Sequence, residues 1–301
     1  MKEIDDFLLH AQACNKSPHT IRSYKAALEA FARTAAVPLS EIGPDAIERF
    51  LGLLYSRGVS KTTRAQRLAA IKSWFKWMER EGIVHDNFAD AFQGPRCPSR
   101  RMRVPTQQET RSLCEGPFDT AFPERDRLLV ELLYGSGIRE DEAVSIDLAD
   151  ITGNRLRVHG KGLKQRVVFL TDYAQRDLAE YLPLRERRLG SVSTPALFFG
   201  LRVGLRGQAS ERLTTRSVGR IIKQLGIAHG LPWLSPHSLR RAFATHLHEA
   251  SMSHFHIFRL LGHARLSTTE RYIAQSSRKR LLEAYNRGRG AGADVDSATR
   301  E

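Results

Sequence analysis

Three short stretches of this 301-residue chain bring ionisable side chains to spacings at which they could act together. Arg139 is followed three residues later by Glu142. His237 and Arg240 share that spacing, which sets each pair on one helical face. Leu261-Gly262-His263 is followed by Tyr272 nine residues after the histidine. Guanidinium forks hold phosphate oxygens bidentately, and a histidine can move a proton or ligate a metal. Each stretch alone has a plainer reading. Arg139 can pair with Glu142, His237 can sit at a helix terminus, and Tyr272 is one of seven tyrosines.

Of the two chemistries, phosphate contact is favoured over metal binding. Six of the eleven histidines, His237, His246, His248, His254, His256 and His263, crowd into one segment, and clustering of this kind is a metal cue. Yet no H-E-x-x-H occurs, and Glu249 is the only acid between Pro236 and Gly262. The pairs His246/His248 and His254/His256 are two residues apart, so each would face different sides of a helix. The sequence therefore predicts no metal and no cofactor, with His246 a core residue and His248 a surface one. The net charge of +14 points to a polyanion, and 37 of the 47 cations are arginine.

Composition removes other classes. With 41% hydrophobic and 27% charged residues the chain can bury a core, and no apolar run reaches the roughly 18–20 residues of a membrane helix. Met1-Lys2-Glu3-Ile4-Asp5-Asp6 is not an apolar leader, and Cys14, Cys97 and Cys114 show no C-x-x-C spacing. A cytoplasmic protein with reduced thiols is expected.

The elements that must position these residues are mostly helical. Ser17-Pro18 opens a helix with Ile21, Tyr24, Leu28 and Phe31 on one face. A second begins at Ser60 and carries Leu68, Ile71, Phe75 and Met78. Arg64, Arg67, Lys72 and Lys76 lie between them and are expected to form a cationic, DNA-facing side. Residues 94–106, with three prolines and four arginines including Arg100 and Arg101, read as a basic linker lying along a phosphate backbone. Beyond it, Leu128, Leu129, Leu132 and Leu133 predict a buried helix ending at Gly135-Ser136-Gly137. Strands 155–158 and 166–170 flank the turn Gly160-Lys161-Gly162-Leu163-Lys164. Helices are predicted over 237–250, 253–261 and near 277–286. The chain thus divides into a helical domain over 1–93, the linker over 94–106, a second domain over 107–287 and a tail over 288–301 expected to be disordered.

Arg139-x-x-Glu142, Gly160-Lys161-Gly162, His237-x-x-Arg240 and Leu261-Gly262-His263 with Tyr272 occur in the order found in tyrosine recombinases. Leu-Leu-Tyr-Gly-Ser-Gly-Ile-Arg139, His237-Ser-Leu-Arg-Arg-Ala-Phe-Ala-Thr-His-Leu247 and Leu-Leu-Gly-His263-Ala-Arg-Leu-Ser-Thr-Thr-Glu-Arg-Tyr272 resemble the Xer branch and the phage integrases. Ser17-x-x-Thr20-x-x-x-Tyr24 and Lys72-Ser-Trp-Phe-Lys-Trp77 are similar to the family's core-binding domain. The resemblance spans roughly residues 5–285.

It implies a mainly α fold with a small β-sheet in the C-terminal domain, arranged as a two-domain, C-shaped DNA clamp. It also implies a site-specific recombinase that cuts and rejoins duplex DNA through a 3′-phosphotyrosyl link formed by Tyr272. Arg139, Arg240 and His263 would hold the scissile phosphate, His237 would assist the phenol, and Lys161 would protonate the leaving 5′-oxygen. Lys164 and Arg166, on the same turn, are alternatives to Lys161. Glu142 would support Arg139, while Lys164 and Arg241 join the expected DNA contacts. The implied partner is double-stranded DNA with paired inverted half-sites, bound by a homo-tetramer or by a hetero-tetramer with a related recombinase. Ser251–Phe258 and Asn87-Phe88 depart from the family pattern, which leaves dimer resolution and integration or excision of a mobile element as open biological roles. A type IB topoisomerase, or a catalytically silent DNA-binding protein on the same scaffold, are the competing readings.

Overall fold

Serines at two helix starts organise the first hundred residues. Ser17 accepts the Thr20 amide at 3.1 Å and Ser60 that of Thr63 at 3.2 Å, each satisfying an amide with no partner inside its helix. They open α2 (Pro18–Ala35) and α4 (Lys61–Arg80), which pack with α1 (Lys2–Ala13) and α3 (Pro44–Ser56). The computed structural model describes residues 2–95, 103–160, 165–201 and 209–262, and the chain divides into two units, Met1–Arg100 and Arg101–Glu301. The predicted helix near 277–286 and the tail over 288–301 lie outside the described residues.

The core of the first unit is aromatic. Phe31 meets Phe50 and Trp74 edge-on, with ring centres 5.5 Å and 6.4 Å apart. The Trp74 indole N–H donates to the Glu3 carbonyl, fastening α1 to α4. The Phe88 ring lies tilted against that of Phe75, with centres 4.7 Å apart, so the departure at Asn87-Phe88 closes the end of this core with a ring.

In the second unit Thr106 and Glu109 form a reciprocal cap on α5 (Gln107–Glu115). α6 (Pro123–Gly135) is central, with Leu128, Leu129, Leu132 and Leu133 at most 1% exposed. A short α7 (Glu140–Ser145) leads to an antiparallel sheet of β1 (Ile151–Thr152), β2 (Arg155–His159) and β3 (Gln165–Phe169), in that order. Leu156 and Val158 turn inward while Arg155, Arg157 and His159 turn out, the alternation of a one-sided strand. Then come α8 (Asp172–Leu189), the two-residue strands β4 (Gly200–Leu201) and β5 (Ala209–Ser210), α9 (Thr215–Ala228), α10 (Pro236–Glu249) and α11 (His254–Leu261). Both units are dominated by helices, and among the described residues the two small sheets, β1-β2-β3 and β4-β5, belong to the second.

Residues 103–106, read from sequence as the end of the linker, are held on the second unit. The Arg103 guanidinium lies over the Trp233 ring, and the Pro105 carbonyl is 3.1 Å from His246 Nε2. The other ring nitrogen of His246 meets the Tyr134 hydroxyl at 2.9 Å. His246 is half-buried, and burial lowers its pKa below the ordinary histidine value. His248 is also half-buried, its ring edge-on to that of His254.

Candidate active site

Five elements meet around one carboxylate. α6 stops at Gly135, and the chain turns through Gly137 with φ of +61°, which glycine adopts without penalty. A Cβ at Gly137 would sit 2.2 Å from the Phe243 ring, so the turn also depends on the missing side chain. Gly137→Ala should therefore cost about 2–5 kcal/mol, adding left-handed strain to a clash in a packed core. Urea unfolding would read this, and a loss below about 0.5 kcal/mol would show that the turn yields easily.

Arg139 opens α7. Its amide donates to Glu142 Oε2 at 2.8 Å and its Nη1 to Oε1 at 2.7 Å, so the carboxylate fixes both backbone and guanidinium. Glu142 is 3% exposed, whereas the Arg139 side chain stays 36% exposed. From β3, Arg166 places Nη1 and Nη2 on the two Glu142 oxygens, each at 2.8 Å, and its Nε donates to the Leu260 carbonyl at 2.8 Å. Arg240, 1% exposed on α10, donates to the Gly137 carbonyl at 2.6 Å and the Leu261 carbonyl at 2.5 Å. Its Nη1 also lies 3.7 Å from Glu142 Oε2.

Three guanidinium groups thus surround one carboxylate. Burial alone would raise the Glu142 pKa, but hydrogen bonds and charge from Arg166 and Arg139 prevail and lower it to about 2. Glu142 stays ionised and the cluster keeps a positive excess. That excess acts on His237 at the start of α10. The ring keeps an exposed face, yet the packing around it and the charges of Arg241, Arg240 and Arg139 push its pKa below the ordinary value. Near neutral pH the imidazole is uncharged and can accept a proton.

Arg139, Glu142, His237 and Arg240, singled out from sequence, lie within this cluster. Lys161, Lys164, His263, Tyr272, Arg100 and Arg101 lie outside the described residues. The described chain reaches Gly160 and resumes at Gln165, and it runs to Gly262, next to His263. Arg241 is 4% exposed, within α10's buried stretch from Ser238 to Thr245. On α4, Arg64 lies over the Tyr55 ring at 5.0 Å and Lys72 donates to the Asp90 carbonyl at 3.1 Å. Arg67 is half-buried and Lys76 exposed. Arg166, an alternative to Lys161 on sequence grounds, instead sits on β3 with its guanidinium bound to Glu142. Its structural part was missed, although an arginine at an inward strand position needs acceptors buried with it.

Residues 103–279 match the phage integrase family, and residues 4–82 match the phage integrase N-terminal SAM-like domain. The tyrosine recombinase XerC of Corynebacterium glutamicum is 34% identical over 289 residues, covering 94% of this chain and 90% of that protein. Among solved structures, the XerH site-specific recombinase bound to a palindromic difH substrate superposes with a TM-score of 0.69 at 23% identity, over 90% of this chain and 80% of that one. A lambda integrase tetramer bound to a Holliday junction gives 0.68 at 19% identity, over 90% and 76%.

Proposed function

Since this chain belongs to the phage integrase family and is a tyrosine-type site-specific DNA recombinase, we propose that its cleavage centre is the cluster around Glu142, completed by Lys161, His263 and Tyr272. The observation that carries this reading is the convergence of Arg139 and Arg240 on one buried carboxylate.

The chemistry follows from the charges. In-line attack on a phosphodiester builds negative charge on its non-bridging oxygens. Arg139 and Arg240 stabilise that charge, His263 adds a hydrogen bond, and the buried Glu142 keeps Arg139 preorganised. The Tyr272 oxygen attacks phosphorus while its proton passes to neutral His237. The 5′-oxygen leaves with a proton from Lys161, giving a 3′-phosphotyrosine and a 5′-hydroxyl. The ester conserves the bond energy, so rejoining by the 5′-hydroxyl runs the steps backwards without ATP or a metal ion.

The pH profile follows from His237. Its pKa lies below about 6.5, so the base form is already populated at neutral pH and is lost only on acidification. Single-turnover cleavage should be level from about pH 7 to 8 and fall through a midpoint below about 6.5. An acid limb centred above 6.5 would remove His237 from the base role.

Duplex DNA is the substrate in this reading, held by both units. Among the described residues no helix is long and apolar enough to cross a membrane, and the cytoplasm is the compartment that fits a DNA substrate. The lambda integrase neighbour is a tetramer on a Holliday junction, and we assign the same order here, with Leu281, Leu282 and Tyr285 docking one protomer on the next. Truncation after Gln275 should leave half-site affinity within a few-fold but abolish cooperative filling and strand exchange. Retained exchange would sink the assignment.

The deciding experiment uses a nicked suicide duplex carrying a site selected by this protein from a random duplex library. Covalent protein–DNA adduct supports the cleavage centre, and its absence indicates a silent binding protein. Exchange between two sites separates recombination from topoisomerase-like nicking and resealing.

A further inference from the structure

Arg166 has a part in none of the steps above, yet its side chain is 13% exposed and all of its described hydrogen bonds end on elements of the site. Its fork covers both oxygens of Glu142, while the third nitrogen is tied to the Leu260 carbonyl at the end of α11. The seat is tight. A Cβ on Gly262 would approach Arg166 Cδ to 2.8 Å, and Gly262 itself holds φ of +60°. The guanidinium plane is therefore set by α11, and it in turn sets the carboxylate. Without that fork Glu142 could turn away from Arg139 toward Arg240, which stands 3.7 Å from Oε2.

We infer that Arg166 is a positioning residue for strand cleavage, fixing the Glu142 carboxylate so that Glu142 can hold the Arg139 guanidinium against the scissile phosphate. This rests on the cleavage centre proposed above. Arg166 acts through Glu142 and does not itself touch DNA in this role. Lysine cannot replace it, because one ammonium cannot span two carboxylate oxygens and a carbonyl in a fixed plane.

The test is single-turnover cleavage of the selected nicked suicide duplex by Arg166→Ala, Arg166→Lys, Arg139→Ala and the double variant Arg139→Ala/Arg166→Ala. DNA affinity and melting temperature are measured on each. Arg166→Ala should slow cleavage about 10²-fold, the scale of a misplaced catalytic group, with DNA affinity changed less than about threefold. Arg166→Lys should restore the melting temperature but leave cleavage at least about tenfold slow, which a merely structural arginine would not do. With Arg139 already absent, removing Arg166 should cost no more than about a further threefold, because two residues acting through one contact do not add. Multiplying losses in the double variant, or wild-type cleavage by Arg166→Lys, would overturn the inference while leaving the cleavage centre intact. Absence of adduct from the wild-type protein would overturn both.

Discussion

Tyr272→Phe is expected to eliminate the covalent protein–DNA adduct while leaving DNA binding unchanged. Phenylalanine keeps the ring and removes only the oxygen that attacks phosphorus, so shape and charge at the site persist. Removing a nucleophile leaves only the catalysis supplied by binding and charge stabilisation, and the expected loss is at least about 10⁴-fold. Denaturing gels of the trapped duplex read the adduct and mobility shifts read binding. A Phe variant that still attaches to DNA would place the nucleophile elsewhere, among the other six tyrosines.

The second large effect separates two cations by the oxygen each serves. Arg240→Ala should slow cleavage about 10³–10⁵-fold, the range for an arginine that stabilises a phosphoryl transition state. Lys161→Ala should also be severe on ordinary DNA. On a substrate whose 5′-bridging oxygen is replaced by sulfur the two should part, because a thiolate leaves without a proton. Lys161→Ala should recover there, and Arg240→Ala should not, since its charge serves the non-bridging oxygens. Recovery of both, or of neither, would remove Lys161 as the acid and bring Lys164 forward.

Legibility in the sequence followed how cleanly each element separates apolar from polar positions. α2 and α4 could be read because a serine cap precedes an unbroken apolar stripe at helical period. α8 could not. Its inward residues are Ala174, Asp177, Tyr181, Arg185 and Leu189, so two of five are charged, and Pro183 sits inside the helix. Arg185 is buried there because the carbonyls of Thr194, Ala196 and Leu197 receive its donors, contacts that local sequence does not reveal. The cationic side expected on α4 met the opposite difficulty. Arg64 precedes Ile71 by seven residues and Phe75 by eleven, which puts it on the core side of the helix, and it is half-buried. At the site, residue order pointed to Arg139, His237 and Arg240. Arg139 and Arg240 meet at Glu142 together with Arg166 and two backbone carbonyls, and carbonyls leave no mark in a sequence.

α10 and α11 meet the site with opposite ends. α10 begins there, at Pro236 and His237, and α11 finishes there, at Leu261. A helix start carries about half a positive charge and a helix finish about half a negative one, so α10 attracts a phosphate and α11 alone would repel it. The last carbonyls of α11, on Leu260 and Leu261, are the ones that Arg166 and Arg240 occupy. The two arginines therefore mask a dipole as well as supplying charge. Loss of Arg240 would subtract a cation and also bare a negative helix terminus beside the incoming anion, adding up to about 1 kcal/mol of repulsion that grows as salt is diluted.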